Sequence, residues 1–149
     1  MNNNKQLITT IRQFNRFYAN ILGLLDQHVL NTGYSLTEAR IILEIGFIQP
    51  CIANQLVDKL TIDRSYMSRI ITKLSNDGIL SKETSTTDNR ISLIHLTSKG
   101  MTLFNQLNER SDEQIMKLLH DLSQEEIAEI HNAMLLIQRK LGGDLHDTI

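Results

Sequence analysis

The stretch that decides the fold is Asp-Asn-Arg-Ile-Ser-Leu-Ile-His-Leu-Thr-Ser-Lys-Gly, which occupies residues 88–100. It begins as a charged turn, continues as a short segment typical of a strand, and ends where Thr97 can cap a helix. A similar strand-like segment covers residues 79–84, and the polar residues 85–90 separate the two. The pattern predicts a β-hairpin that leads directly into a long helix.

Most of the remaining sequence has the 3.6-residue apolar spacing of helices. Two capping boxes, in which a serine and a glutamate three residues later cap each other's backbone, start at Ser35 and Ser123. Asp63 is a suitable cap for another helix, and Gly78 suits its left-handed end. The predicted helices cover residues 5–30, 36–48, 52–60, 64–75, 97–120 and 123–142. The fold class is therefore mainly α with one small β-hairpin.

Composition limits the kinds of protein that this chain can be. A length of 149 residues, with 41% hydrophobic and 21% charged residues, suits one globular domain or two small lobes. The single cysteine cannot form an internal disulfide, which favours a reducing compartment. The amino-terminal residues lack the apolar core of a signal peptide, and no apolar run reaches the roughly 18 residues of a membrane span. We expect a soluble, cytoplasmic protein without membrane contact.

Charge is distributed unevenly along the chain. The net charge is −2 overall, but residues 58–110 carry eight basic and six acidic side chains, whereas residues 111–149 carry three and eight. The positive surplus thus lies around the hairpin and the helix before it. This distribution permits contact with phosphates there, although the geometry of the local surface matters more than the sum.

The helix at residues 64–75 has one apolar and one polar face, as a helix that lies in a DNA major groove requires. Ser65, Tyr66, Ser68 and Arg69 occupy its first two turns, where base edges are usually reached, and Arg64 and Lys73 are better placed for phosphates. The alternative is an ordinary solvated helix face.

The hairpin adds a second element of the same kind. Arg90 at its tip can enter the minor groove, where narrow A·T-rich DNA favours a guanidinium. Asp88 can pair with Arg90 and fix its direction, or pair with another basic residue nearby. The alternative is a surface ion pair that contributes little. Together, the helix and the hairpin predict binding to double-stranded DNA.

These segments resemble the MarR family of bacterial transcription regulators. The wing pattern of that family is Asp-x-Arg, then apolar-x-Leu-Thr, then two residues and Gly, and it is matched by Asp88, Arg90, Ile94, Leu96, Thr97 and Gly100. Residues 62–65 and 74–80 resemble the start and the exit of the family's recognition helix. The resemblance implies a winged helix-turn-helix lobe at residues 35–96, with residues 1–34 and 97–149 forming a helical dimerisation region.

The implied function is that of a homodimeric DNA-binding transcription regulator, a ligand-responsive repressor that acts on a pseudo-palindromic operator. The alternative is a winged-helix interaction module or antirepressor that does not bind DNA directly. No arrangement of nucleophile and base, or of paired carboxylates, predicts an enzyme. Residues 11–18 and 34–40 also resemble the regulator half of proteins fused to an acetyltransferase domain, but the chain stops at Ile149, so we expect no acetyltransferase activity.

Other sites are less well supported by the sequence. Small, often aromatic or anionic effectors are common in the family, and Phe14, Phe17, Tyr18 and His28, with Arg16, are candidate contacts, although such aromatics more often belong to a core. Cys51 is predicted to be a small, partly buried residue rather than a redox sensor. The five histidines lack the spacing of a metal site, so we predict no metal and no cofactor.

Overall fold

The computed structural model describes the backbone of residues 2–142 and the side chains of residues 3–23 and 31–142. Within this part of the chain, helices and strands follow one another in the predicted order. They are α1 (Asn2–Val29), a 3-10 turn (Leu30–Thr32), α2 (Leu36–Ile48), α3 (Ala53–Leu60), α4 (Arg64–Asn76), β1 (Leu80–Thr84), β2 (Ser92–Leu96), α5 (Ser98–Leu118) and α6 (Gln124–Gly142). The chain forms two compact units, Met1–Ser111 and Asp112–Ile149.

Most predicted boundaries agree with the structure to within two residues. The helix predicted from residue 52 begins at Ala53, because Ile52 is extended and its amide donates to the Gln55 side chain at 2.8 Å. The first helix begins at Asn2 rather than residue 5, and periodicity could not place this end because the three asparagines carry no apolar side chain. The capping boxes at Ser35 and Ser123 are both formed.

The core of the first unit is built where α2, α3, α4, the hairpin and the first turns of α5 meet. Its fully buried side chains come from all of these elements, which is how a single apolar cluster holds them together. They include Ile41, Ile42, Ile45, Leu56, Met67, Leu74, Ile79, Ile94 and Leu107.

The hairpin is an antiparallel pair in which Leu80 lies opposite Leu96 and Thr84 opposite Ser92. A third segment pairs with the middle of β2, because Cys51 exchanges two backbone hydrogen bonds with Ile94, at 3.0 and 2.7 Å. Burial of Ile94 and Leu96 beneath the hairpin fixes its register, since a slip by one residue would turn both side chains to solvent.

In the second unit, α6 buries none of its side chains, although it carries a run of apolar residues. Met134, Leu135, Leu136 and Ile137 are all substantially exposed, as is Leu141. None of the helices in the described part of the chain is both long and apolar enough to cross a membrane.

Candidate nucleic-acid interface

The helix α4 is fixed at its start and along one side. The Asp63 side chain accepts a hydrogen bond from the Tyr66 amide at 3.1 Å, which satisfies one of the free amides of the first turn. Met67, Ile70, Ile71 and Leu74 form its buried stripe. With one face anchored in the core, the opposite face is held at a defined orientation towards solvent.

The exposed face of α4 carries the residues that the sequence predicted there. Arg64, Ser65, Tyr66, Ser68 and Arg69 are all exposed. The Arg69 guanidinium lies over the Tyr66 ring, 5.6 Å from its centroid, so the two side chains stack and restrict each other's rotamers. The first two turns therefore present hydroxyls, a phenol and two guanidinium groups on one accessible surface.

Lys73 lies on the same helix but in a different environment. Its ammonium is 2.5 Å from a carboxylate oxygen of Glu38, at the start of α2, and the two side chains are 52% and 11% exposed. Burial raises the pKa of Glu38, but hydrogen bonds from Lys73 and Ser35 outweigh this effect and hold the pKa below its ordinary value. Both groups are thus charged at neutral pH.

At the tip of the hairpin, Arg90 is paired with Asp88. Asp88 accepts hydrogen bonds from the Arg90 amide at 3.0 Å, from Nε at 3.2 Å and from Nη2 at 3.4 Å. The Arg90 side chain is nevertheless 90% exposed. Hydrogen bonds from the Arg90 side chain and backbone lower the pKa of Asp88, so the carboxylate stays ionised. The predicted pairing of these two residues is confirmed.

The base of the hairpin depends on a residue that sequence reasoning missed. The Gln49 side-chain carbonyl, at the end of α2, accepts a hydrogen bond from the Leu96 amide at 2.9 Å, and its amide group donates to the Met101 sulfur at 3.5 Å. Gln49 therefore joins α2 to the last residue of β2 and to α5. The only signal in the sequence is a polar residue after an apolar helix, which does not identify a partner 47 residues away.

The candidate effector residues of α1 are only partly assembled. Phe14 and Tyr18 stack with ring centroids 5.8 Å apart, whereas the Phe17 side chain is 60% exposed. His28 lies in the part of α1 whose side chains are outside the described residues. A separate cleft of about 350 Å³, which the sequence did not suggest, is lined by Thr32, Tyr34, Ile79, Lys99, Thr102, Leu103 and Gln106.

Cys51 is more deeply buried than predicted. Its exposure is 1%, because its backbone pairs with Ile94 and its side chain joins the core. Burial, with a smaller effect of the Glu44 charge, raises the pKa of the thiol to about 11. A thiol in this state is a poor nucleophile. Among the described residues, no three histidine, cysteine, aspartate or glutamate side chains are grouped as metal ligands.

Comparison with known proteins agrees with this arrangement. The MarR family matches residues 34–92. The transcriptional regulator MhqR of Bacillus subtilis is 27% identical over 115 residues, which are 75% of this chain and 77% of MhqR. The regulator MgrA of Staphylococcus aureus is 27% identical over 125 residues, 83% of this chain and 78% of MgrA.

Among solved structures, FabT of Streptococcus pneumoniae in complex with DNA superposes with a TM-score of 0.78, at 20% identity, over 89% of this chain and 97% of FabT. At that identity the likeness shows the fold, a winged helix-turn-helix, in which the hairpin is the wing. The curated relatives are regulators, in agreement with the prediction that the chain is not an enzyme. Residues 34–92 therefore match the MarR family, and the rest of the chain shares the fold of the solved winged-helix structures.

Proposed function

We propose that the protein is a DNA-binding transcription regulator that acts in the cytoplasm as a homodimer. Each subunit would place α4 in a major groove and the wing tip in the neighbouring minor groove. The observation that carries the proposal is that α4 and the hairpin with the exposed Arg90 belong to one compact unit. Buried side chains anchor both elements in the core of that unit. FabT, with the same fold, has been solved in complex with DNA.

The residues proposed to meet DNA have distinct roles. Ser65, Tyr66, Ser68 and Arg69 would face base edges, and Arg64 would contact phosphate. At the wing, the ion pair with Asp88 would direct Arg90, whose guanidinium keeps an Nη group available for the groove. Because Asp88 uses its charge on Arg90, it would act through that side chain rather than on DNA itself.

Homodimerisation is supported by apolar surface on the outer helices. Leu7, Ile8 and Ile11 of α1 are each about half exposed, and α6 exposes its apolar run. A lone chain rarely leaves this much apolar helix surface in water, and a two-fold symmetric partner covers it most simply. Two recognition helices related by such an axis would read a pseudo-palindromic operator with half-sites roughly 34 Å apart.

We further propose that the regulator is a repressor that responds to a small effector. The cleft next to Tyr34 and Lys99 combines apolar and polar lining with one cation, which suits a small anionic molecule. In the dimer, the distance between the winged helix-turn-helix lobes of the two subunits would decide whether both fit the DNA. A ligand that prefers the dimer with one such distance would shift the population towards or away from the DNA-binding form. The α1 residues Phe14, Phe17, Tyr18 and His28 remain candidate contacts.

Selection of binding sequences from a random DNA pool tests the function directly. The wild-type protein should enrich an inverted repeat, and Arg69→Ala and Arg90→Ala should each weaken binding to it by about ten- to hundredfold at moderate salt. Arg69→Ala should also relax the sequence preference. Lys117→Ala removes one positive charge from the last turn of α5, at a residue that is not proposed to contact DNA, and should bind like the wild type.

The competing function is an interaction module or antirepressor that does not touch DNA. Two results together would favour this alternative. The wild-type protein would enrich no DNA sequence, and Arg69→Ala and Arg90→Ala would bind any duplex as weakly, and with the same salt sensitivity, as the wild type does.

A further inference from the structure

The second half of α4 and the Asp77 residue that caps its end are held by three polar contacts. Glu38 of α2 binds the Lys73 ammonium at 2.5 Å. Tyr34, in the connection before α2, donates its hydroxyl to the Asp77 carboxylate at 3.3 Å. The Lys99 ammonium, in the first turn of α5, donates to the Asp77 backbone carbonyl at 2.8 Å. We call these five residues the α4 clamp.

Three residues of the α4 clamp, Glu38, Lys73 and Tyr34, are also constrained by further interactions. Glu38 is fixed a second time, because its other carboxylate oxygen accepts the Ser35 amide at 3.1 Å in the capping box. The Lys73 ammonium also lies 5.5 Å from the centroid of the Tyr34 ring. Burial and the Asp77 charge raise the pKa of Tyr34, so its hydroxyl keeps the proton that it donates.

The charge of Lys73 is poorly available to a DNA phosphate. A carboxylate 2.5 Å from the ammonium turns the pair into a dipole, whose field falls off faster with distance than that of a single charge. To reach a phosphate, Lys73 would have to leave Glu38 as an uncompensated, largely buried anion, which is unfavourable. Arg64 and Arg69 have no such carboxylate in the contacts described for them.

We propose that Lys73 is a positioning residue: through Glu38 it sets the direction in which α4 presents its first two turns to DNA, and it does not itself bind phosphate. This inference rests on the proposed DNA-binding function. It reverses the role that a sequence-based interpretation gives to a lysine on the polar face. It also makes Glu38, an acidic residue outside α4, a determinant of DNA affinity.

The test compares Lys73→Met with Glu38→Gln, measured on the DNA sequence selected by the wild-type protein over a series of salt concentrations. Glutamine still accepts the Ser35 amide, so the capping box can persist in Glu38→Gln. We expect each variant to bind about tenfold more weakly with an unchanged salt dependence, and the double variant to bind no more weakly than Lys73→Met alone. Amide hydrogen exchange at residues 70–77 should become faster in both single variants.

The sign of the Glu38→Gln effect decides between the two roles. Removing an anion near DNA favours binding on electrostatic grounds, so weaker binding can arise only through the geometry of α4. If Lys73 binds phosphate, Glu38→Gln should bind more tightly, and Lys73→Met should lower the salt slope by about 1, as expected for Arg64→Met. That outcome overturns the proposal.

The same titrations keep this proposal separate from the function on which it rests. If Arg69→Ala weakens binding but Glu38→Gln strengthens it, the positioning role of Lys73 is wrong and the proposed DNA binding still holds. Absence of any selected sequence for the wild type would remove both.

Discussion

Gly100, in the first turn of α5, lies where the chain leaves the wing, and replacing it with alanine should destabilise the protein. A Cβ added at Gly100 would be 2.2 Å from the backbone carbonyl oxygen of Ile79 and 3.2 Å from the Cβ of Leu96. Real Cβ atoms essentially never approach another atom closer than 3.0 Å, so one of the two backbones must move by at least 0.8 Å. The obstacle is backbone, and no rotamer change can relieve the contact.

The expected change in the free energy of unfolding combines two destabilising contributions and one stabilising contribution. Overpacking against a fixed group costs about 2 kcal/mol. The displaced Ile79 carbonyl also accepts the Thr97 amide at 3.0 Å, and loss of that hydrogen bond costs about 1 kcal/mol. Alanine in place of glycine in a helix returns at most about 1 kcal/mol. The net loss in the free energy of unfolding is about 2 kcal/mol, which lowers the melting temperature by roughly 4–8 °C.

Thermal and urea unfolding of the Gly100→Ala variant measure this loss, and Gly23→Ala in α1 provides the matched control. No described atom lies within 4 Å of a Cβ added at Gly23, so this variant should gain up to about 1 kcal/mol from helix propensity alone. If Gly100→Ala is as stable as Gly23→Ala, the close packing of α5 on the base of the wing is wrong.

Three further predictions concern single side chains. Gln49→Ala should lower the free energy of unfolding by about 1–3 kcal/mol, because it leaves the Leu96 amide without its acceptor. Gln55→Ala removes the acceptor of the exposed Ile52 amide, which water can replace, and should cost less. Equal losses in urea unfolding would contradict this. With its pKa raised to about 11, Cys51 should react with iodoacetamide at pH 8 at least about a hundredfold more slowly in the folded chain than in denaturant. Equal rates, or peroxide sensitivity that Cys51→Ser removes, would support the redox-sensor alternative instead. Because the pKa of Glu38 is lower in the folded chain, the Glu38 carboxylate stabilises the fold fully above pH 4.5, its pKa in the unfolded chain, and loses this effect as the pH falls through the folded pKa. Glu38→Gln should therefore make the free energy of unfolding less dependent on pH in that acidic range. An unchanged pH dependence of stability would argue against the Lys73 contact.

The features that the sequence predicted well are those whose partners lie close together along the chain. The Ser35 and Ser123 capping boxes join residues three apart, and the Asp63 cap also reaches three residues forward. Asp88 and Arg90 are separated by one residue. Such contacts leave a readable pattern because their geometry is fixed by local backbone conformation alone.

The contacts that the sequence could not predict join distant parts of the chain. Lys73 meets Glu38 across 35 residues, and Gln49 meets the Leu96 amide across 47. Spacing on α4 places Lys73 on the polar face, but only packing determines which neighbour that face meets near its end. The depth of Cys51 was missed for the same reason, because its burial results from pairing with Ile94.

The end of α4, the base of the wing and the start of α5 share one hydrogen-bonded junction. The Thr97 hydroxyl, 2.5 Å from the Gly78 carbonyl, donates to it and accepts the Gly100 amide at 3.0 Å, while Lys99 reaches the Asp77 carbonyl. Both elements proposed to contact DNA are therefore attached to the first turn of α5. Because packed backbone does not deform gradually, a change in the direction of that turn must move α4 and the wing together or break these bonds. The glycine at position 100 is what allows the junction to be this close.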